Sequence, residues 1–193
     1  KYLQTVPREV AAKQFGLDPG LPTVLLSGGR RGLLESPAIV QNLLASPRPF
    51  QIAVVTGLNE RLQRQLEALS STPEHDLKIY GYVDRQDILM SAASVLVSKS
   101  GGPTIAEAVA KGLPVVITHA HPGHETKNLE YLVRQGIAWY APRPREVREL
   151  VEQILARKLR ADQAKAYEKI IKPAGAVDVA EVVSLLDEHR AAS

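Results

Sequence analysis

Six strand-sized runs rich in β-branched and leucine residues recur along the chain, at residues 23–27, 51–56, 77–80, 94–98, 114–118 and 137–141. Between them lie segments with apolar residues three and four apart, at 37–45, 60–70, 85–92, 103–111 and 125–135, a spacing that predicts helices. Strict alternation of this kind has one economical solution, an α/β, Rossmann-like doubly wound parallel sheet with helices on both faces. After Pro144 three further helical patterns follow, at about 145–157, 160–171 and 177–189, with no strand between them. The reading is therefore one domain over residues 1–193, closed by C-terminal helices within 144–193. In such a sheet ligands sit beyond the carboxyl ends of the strands, so the loops after strands are where function is sought.

Bulk properties narrow the field. The 193 residues are 45% hydrophobic, enough for a sizeable core, and there are no cysteines, which excludes disulfides and thiolate metal sites. With 24 basic and 21 acidic residues the surface is mixed rather than a polyanion face, so nucleic acid is not an expected partner. No apolar run approaches the ~18 residues of a membrane span, and no secretory signal is visible; the expected location is cytoplasmic. The first residue is Lys1 and the one methionine is Met90, so the chain is expected to be part of something longer.

Directly after the first run comes SGGRRGLLESP, and Ser36 before Pro37 reads as a helix N-cap. The loop 28–35 is long for a strand-to-helix link, where ~2 to 6 residues are usual. Gly28 and Gly29 would let backbone N–H groups approach a phosphate, with Arg30 or Arg31 to offset charge; a flexible turn with solvated arginines is the alternative. The G-G-x-x-G spacing and the ending VVTG of the second run both depart from the nicotinamide dinucleotide pattern, which disfavours NAD.

A second glycine segment opens the fifth helix. Pro103 fits a first turn, which makes Gly102 the expected N-cap and Ser100, Gly101 and Gly102 an anion site where free N–H groups meet the positive dipole end. The hydroxyls of Ser100 and Thr104 would add donors for a diphosphate. Glu107 lies on one face with Thr104 and Lys111, where a carboxylate could accept both hydroxyls of a vicinal diol such as a ribose; an ordinary capping box with Thr104 is the other reading.

The segment THAHPGHETKN again follows a strand. His119, His121 and His124 form no H-E-x-x-H pattern, so no metal is expected. Glu125 and Asn128 could face sugar hydroxyls, or Glu125 could stabilise the helix dipole. In YGYVDRQD, backbone at Tyr82 and Val83 could pair with a base edge while the tyrosine ring forms a flat wall, with Asp84 equally readable as a helix cap.

The ordered set SGGRRG, GYVD, KSGGPTIAEAVAKGLPVV and PGHETKN resembles the C-terminal, donor-binding half of a GT-B glycosyltransferase. More narrowly it is similar to the family 28 enzymes of glycolipid synthesis, the monogalactosyldiacylglycerol synthases and processive diacylglycerol glucosyltransferases. The resemblance covers residues 6–174. It implies a UDP-hexose as substrate, with Val83 facing uracil, Glu107 the ribose, Ser100 to Thr104 and the first glycine loop the diphosphate, and Glu125 and Asn128 near the sugar; Gly123 and His124 are expected among the donor-binding residues as well. It implies no further cofactor and no metal. Inverting transfer to a lipid acceptor such as diacylglycerol would follow, with the acceptor site, the catalytic base and most membrane contact in an N-terminal half; the full-length protein would then be peripheral on a membrane. His124 departs from the glutamine usual in the glycolipid enzymes. A UDP-sugar 2-epimerase has a related fold, but consecutive acids are expected there where this chain reads TIAEA; a non-catalytic nucleotide-sugar-binding subunit is a third reading.

Overall fold

The computed structural model describes residues 6–156 apart from Leu34, with His124 described by its backbone alone. Helical patterns expected at 160–171 and 177–189 lie outside the described residues. Six parallel strands, β1 (Thr23–Ser27), β2 (Gln51–Val55), β3 (Leu77–Tyr80), β4 (Val95–Ser98), β5 (Val115–Ile117) and β6 (Ala138–Tyr140), form a single sheet in the order β3-β2-β1-β4-β5-β6. Seven helices accompany them: α1 (Arg8–Gln14), α2 (Ser36–Leu44), α3 (Glu60–Glu67), α4 (Gln86–Ala92), α5 (Gly102–Ala110), α6 (His124–Arg134) and α7 (Pro144–Leu155).

The core explains why the strands read as unbroken apolar runs. Every residue of β1, β2 and β4 is buried, because each strand feeds two separate clusters. Leu25, Ala53, Val55, Leu96, Val115 and Ile117 point to one face, where they meet Ala11, Leu89, Ile105, Ala106, Val109 and Leu132 from α1, α4, α5 and α6. Val24, Leu26, Ile52, Val54, Val95, Val97 and Val116 point to the other, against Ile39, Leu43, Leu62, Leu66, Val147 and Val151 from α2, α3 and α7. A fully buried leucine or isoleucine contributes on the order of 1.5–3 kcal/mol, so two such layers hold β1 and β4 firmly in the middle. Edge strands β3 and β6 are more exposed.

Helix α1 is not announced by the sequence pattern. Its seven residues offer only Ala11 and Ala12 to the core, too few for a periodic signal, and it is packing beneath α4 that gives it a partner. Helix starts also shift by one residue. Glu35 rather than Ser36 precedes α2, with no side-chain cap; the Ser36 hydroxyl is buried with no hydrogen-bond partner among the described residues. Arg85, not Asp84, precedes α4. Gly101, not Gly102, is the N-cap of α5, since proline is tolerated at either of the first two helical positions. Among the described residues no helix is long and apolar enough to cross a membrane.

Candidate functional site

The chain winds outward from β1 to β3, then returns to the other side of β1 to lay down β4, β5 and β6. The strand order reverses between β1 and β4, and a crevice opens there beyond their carboxyl ends. Its floor is polar and fixed: the Ser98 hydroxyl donates to Ser27 O at 2.6 Å, and Gln86 Nε2 donates to the Ser27 hydroxyl at 2.9 Å.

One wall is the loop after β1. It contains a short turn of 3-10 helix at Gly29–Arg31, and it is locked to the loop after β2. Leu58 N donates to Arg30 O at 2.8 Å, and Asn59 Nδ2 to Arg31 O at 3.1 Å. The glycines here have two different jobs. A Cβ on Gly28 would lie 2.3 Å from Gly32 O, and one on Gly57, at φ +64°, would lie 2.4 Å from Arg30 O; both are required by the loop's own packing. At Gly29, φ is +75° and nothing lies within 4 Å of where a Cβ would be, so this is the glycine that leaves the backbone open to a ligand.

The opposite wall is the start of α5. Gly101, Gly102 and Thr104 donate from no backbone N–H to a protein acceptor among the described residues, so three amides at the positive end of the helix remain available. Ser100 differs from expectation. It is fully buried, its N–H donates to His119 O and its hydroxyl donates to Glu125 O at 2.8 Å, so it braces the loop instead of offering a hydrogen to a ligand. Asn128 Nδ2 donates to Ser100 O at 3.3 Å. Glu125 accepts His121 N–H at 3.1 Å and pairs with the Lys99 ammonium; burial works to raise its pKa, but those hydrogen bonds and the neighbouring charge prevail and hold it below the usual glutamate range.

Two recesses meet in this crevice. The larger, about 530 Å³, is lined by Gly28, Gly29, Arg30, Lys99, Gly101, Thr104, His119 and His121, among others. The smaller, about 170 Å³, is lined by Gly29, Arg30, Val55, Gly57, Tyr82, Val83, Asp84, Gln86, Thr104 and Glu107. They share Gly29, Arg30 and Thr104. The larger one is cationic, which suits an anion. In the smaller, Glu107 has its pKa raised, first by burial and then by the Asp87 carboxylate, with Lys111 partly offsetting both. Asp87 is itself fully buried and takes two hydrogen bonds from Arg85, each 2.9 Å; Lys111 Nζ donates to Ser91 Oγ at 2.9 Å. Tyr82 stands 62% exposed at the rim, free to cover a flat ligand.

Of the residues singled out by sequence, Gly28, Gly29, Arg30, Tyr82, Val83, Gly101, Thr104 and Glu107 therefore line one continuous crevice. Ser100, Gly102, Glu125 and Asn128 frame the α5 and α6 starts behind it, and Gly123 caps α6 at φ +100°. Sequence reading missed Lys99 and Gln86. Lys99 directly follows β4, and that position was its signal; Gln86 had none, because its contact with Ser27 spans 59 residues.

Comparison with known proteins follows the same division. The family model for the glycosyltransferase family 28 C-terminal domain matches residues 29–183. The processive diacylglycerol beta-glucosyltransferase of Bacillus subtilis (strain 168) is 31% identical over 156 residues, covering 81% of this chain and 41% of that protein. Chloroplastic monogalactosyldiacylglycerol synthase of Spinacia oleracea is 30% identical, covering 94% of this chain and 36% of that protein. The chain thus spans about two fifths of the length of the curated relatives it matches. Among solved structures, MurG of Acinetobacter baumannii superposes with a TM-score of 0.65 at 17% identity, over 97% of this chain and 55% of that one. The glycosyltransferase VinC, solved with DTDP, gives 0.61 at 19% identity, over 93% and 44%. Fold, crevice and family model coincide on one conclusion, that this chain belongs to glycosyltransferase family 28, in its C-terminal domain.

Proposed function

We propose that this domain binds the UDP-hexose donor of an inverting glycosyltransferase whose acceptor is a lipid such as diacylglycerol. The observation that carries the reading is the pair of recesses joined at Gly29, Arg30 and Thr104, one ending in a half-buried carboxylate and the other cationic. The nucleoside occupies the smaller: Tyr82 and Val83 flank the base and Glu107 accepts the two ribose hydroxyls. The diphosphate lies across the join, against the free amides of α5, with Arg30 and Lys99 offsetting its charge.

In the transfer step an acceptor hydroxyl oxygen attacks the anomeric carbon, the bond from that carbon to the β-phosphate oxygen breaks, and its electron pair leaves with UDP. The acceptor proton passes to a base outside this chain, and displacement from the opposite face inverts the centre. This domain's part is to stabilise the leaving diphosphate as its charge develops, which preorganised amides and cations do without reorganising. The names of the relatives, lipid glycosyltransferases, favour transfer over epimerisation.

Calorimetric titration with UDP, UDP-glucose, UDP-galactose and UDP-N-acetylglucosamine tests the reading. UDP is expected to bind, and the hexoses to be distinguished from one another; hexose transfer by the chain alone is expected to be negligible. A crystal soaked in UDP with no density between Gly29 and Thr104 would end it.

A further inference from the structure

Lys99 stands at the junction of two demands. It lines the larger recess beside Arg30 and Gly101, yet its ammonium is paired with Glu125 Oε1 at the start of α6. Both side chains are mostly buried, at 25% and 19% exposure. The other Glu125 oxygen is held by His121 N–H, the Glu125 carbonyl by the Ser100 hydroxyl, and Ser100 O by Asn128. The carboxylate is thus fixed to the frame, while the lysine, on a four-carbon stem with rotatable donors, is the partner able to swing. A diphosphate in this recess offers the same ammonium a stronger, doubly charged acceptor.

We propose that Lys99 is an exchangeable cation, held by Glu125 when no diphosphate is bound and transferred to the diphosphate when one arrives. The proposal rests on the donor reading above and adds a role for Glu125 that runs against intuition. Toward a bare diphosphate the acid is a competitor, because it detains the cation that the ligand needs. Once released, its Oε1 is a free acceptor for a hydroxyl of the hexose attached to the β-phosphate, so the second recognition event is conditional on the first.

A double-mutant cycle on the 193-residue chain decides the matter, read as UDP affinity by titration calorimetry for wild type, Glu125→Gln, Lys99→Met and the double variant. Glutamine keeps an acceptor for His121 N–H, and a Lys99→Arg variant checks that a cation alone restores binding. Glu125→Gln is expected to bind UDP about fivefold tighter than wild type, and Lys99→Met about tenfold weaker, on the scale of one charged hydrogen bond. In the Lys99→Met background the Glu125→Gln gain should vanish. If Glu125→Gln binds UDP no tighter, or its gain persists without the lysine, the exchange is refuted while the donor reading stands. A wild-type chain that does not bind UDP removes both.

Discussion

Replacing Glu107 with glutamine separates what this carboxylate does for a ligand from what it costs the fold. A carboxylate accepts two hydroxyl donors at once, whereas an amide oxygen accepts with less charge and its NH2 group only donates. Each hydrogen bond to a charged group is worth about 1.5–3 kcal/mol net of the water contacts it replaces, so Glu107→Ala should weaken UDP by ~1–3 kcal/mol. UDP itself titrates, with a second phosphate ionisation near pH ~6, so the informative quantity is the ratio of UDP to 2′-deoxy-UDP affinity, in which the phosphate cancels. Loss of one of two such bonds makes that ratio about tenfold at neutral pH.

The sign of its pH dependence follows from the site. Burial and the Asp87 carboxylate raise the pKa of Glu107, so it takes up a proton at a higher pH than an ordinary glutamate does, and the protonated form loses acceptor capacity. The ratio should fall as pH is lowered through that raised pKa, at higher pH than an ordinary glutamate would require, and in Glu107→Gln it should be small and flat. The same shift works oppositely on stability: the fold disfavours the charged form, so the penalty is present above the raised pKa and relieved below it. Glu107→Gln should therefore melt at a higher temperature than wild type at neutral pH while binding UDP less well. Equal discrimination of the two nucleotides by wild type and Glu107→Gln, or a wild-type ratio indifferent to pH, would refute the assignment of this residue to the ribose.

Other perturbations read other parts of the structure. Gly57→Ala combines a left-handed backbone with a Cβ 2.4 Å from Arg30 O, and chemical denaturation should show a loss of at least ~1–3 kcal/mol; unchanged stability would mean the loop pair can separate freely. Asp87→Ala removes the buried acceptor of two Arg85 hydrogen bonds while Arg85, 34% exposed, keeps contact with solvent, and should cost about 1–3 kcal/mol. Because hydrogen bonding from Arg85 chiefly holds the Asp87 pKa below the ordinary carboxylate value, its contribution is full above the unfolded pKa and is lost as pH falls through the lowered one; denaturation curves of wild type and variant should converge in acid. Tyr82→Ala removes an exposed ring at the base end and should weaken UDP by about 0.5–1.5 kcal/mol with an unchanged melting temperature; a large drop in melting temperature would show the ring to be structural.

Much of the architecture was legible because the strands are buried on both faces, and β-rich runs such as VLL and VLV carry that condition openly. Helix α1 was not, since two alanines make no period and it is packing against α4 that gives them a surface. The crevice was legible through its glycines and through Glu107 with Thr104 and Lys111 on its own helix, whereas the Asp87 carboxylate that also raises its pKa comes from α4. What sequence could not separate was exposure from commitment. Ser100 and Thr104 look alike as hydroxyls near a helix start, yet Ser100 is spent on α6 while Thr104 faces the crevice. Gly28 and Gly29 look alike as glycines, yet one closes the loop on itself and the other leaves it open. Each distinction depends on a segment brought alongside by the sheet order, and chain spacing holds no record of it.

The interlock of Gly57 with the Arg30 carbonyl makes two separate stretches of chain behave as one mechanical part. A substituent added near Leu58 would press on Arg30 through the hydrogen bond from the Leu58 N–H, and so on the Gly29 surface beside it. Alterations on that outer ridge can therefore retune the crevice from behind, and insertions in either stretch must be matched by the other if the seam is to close.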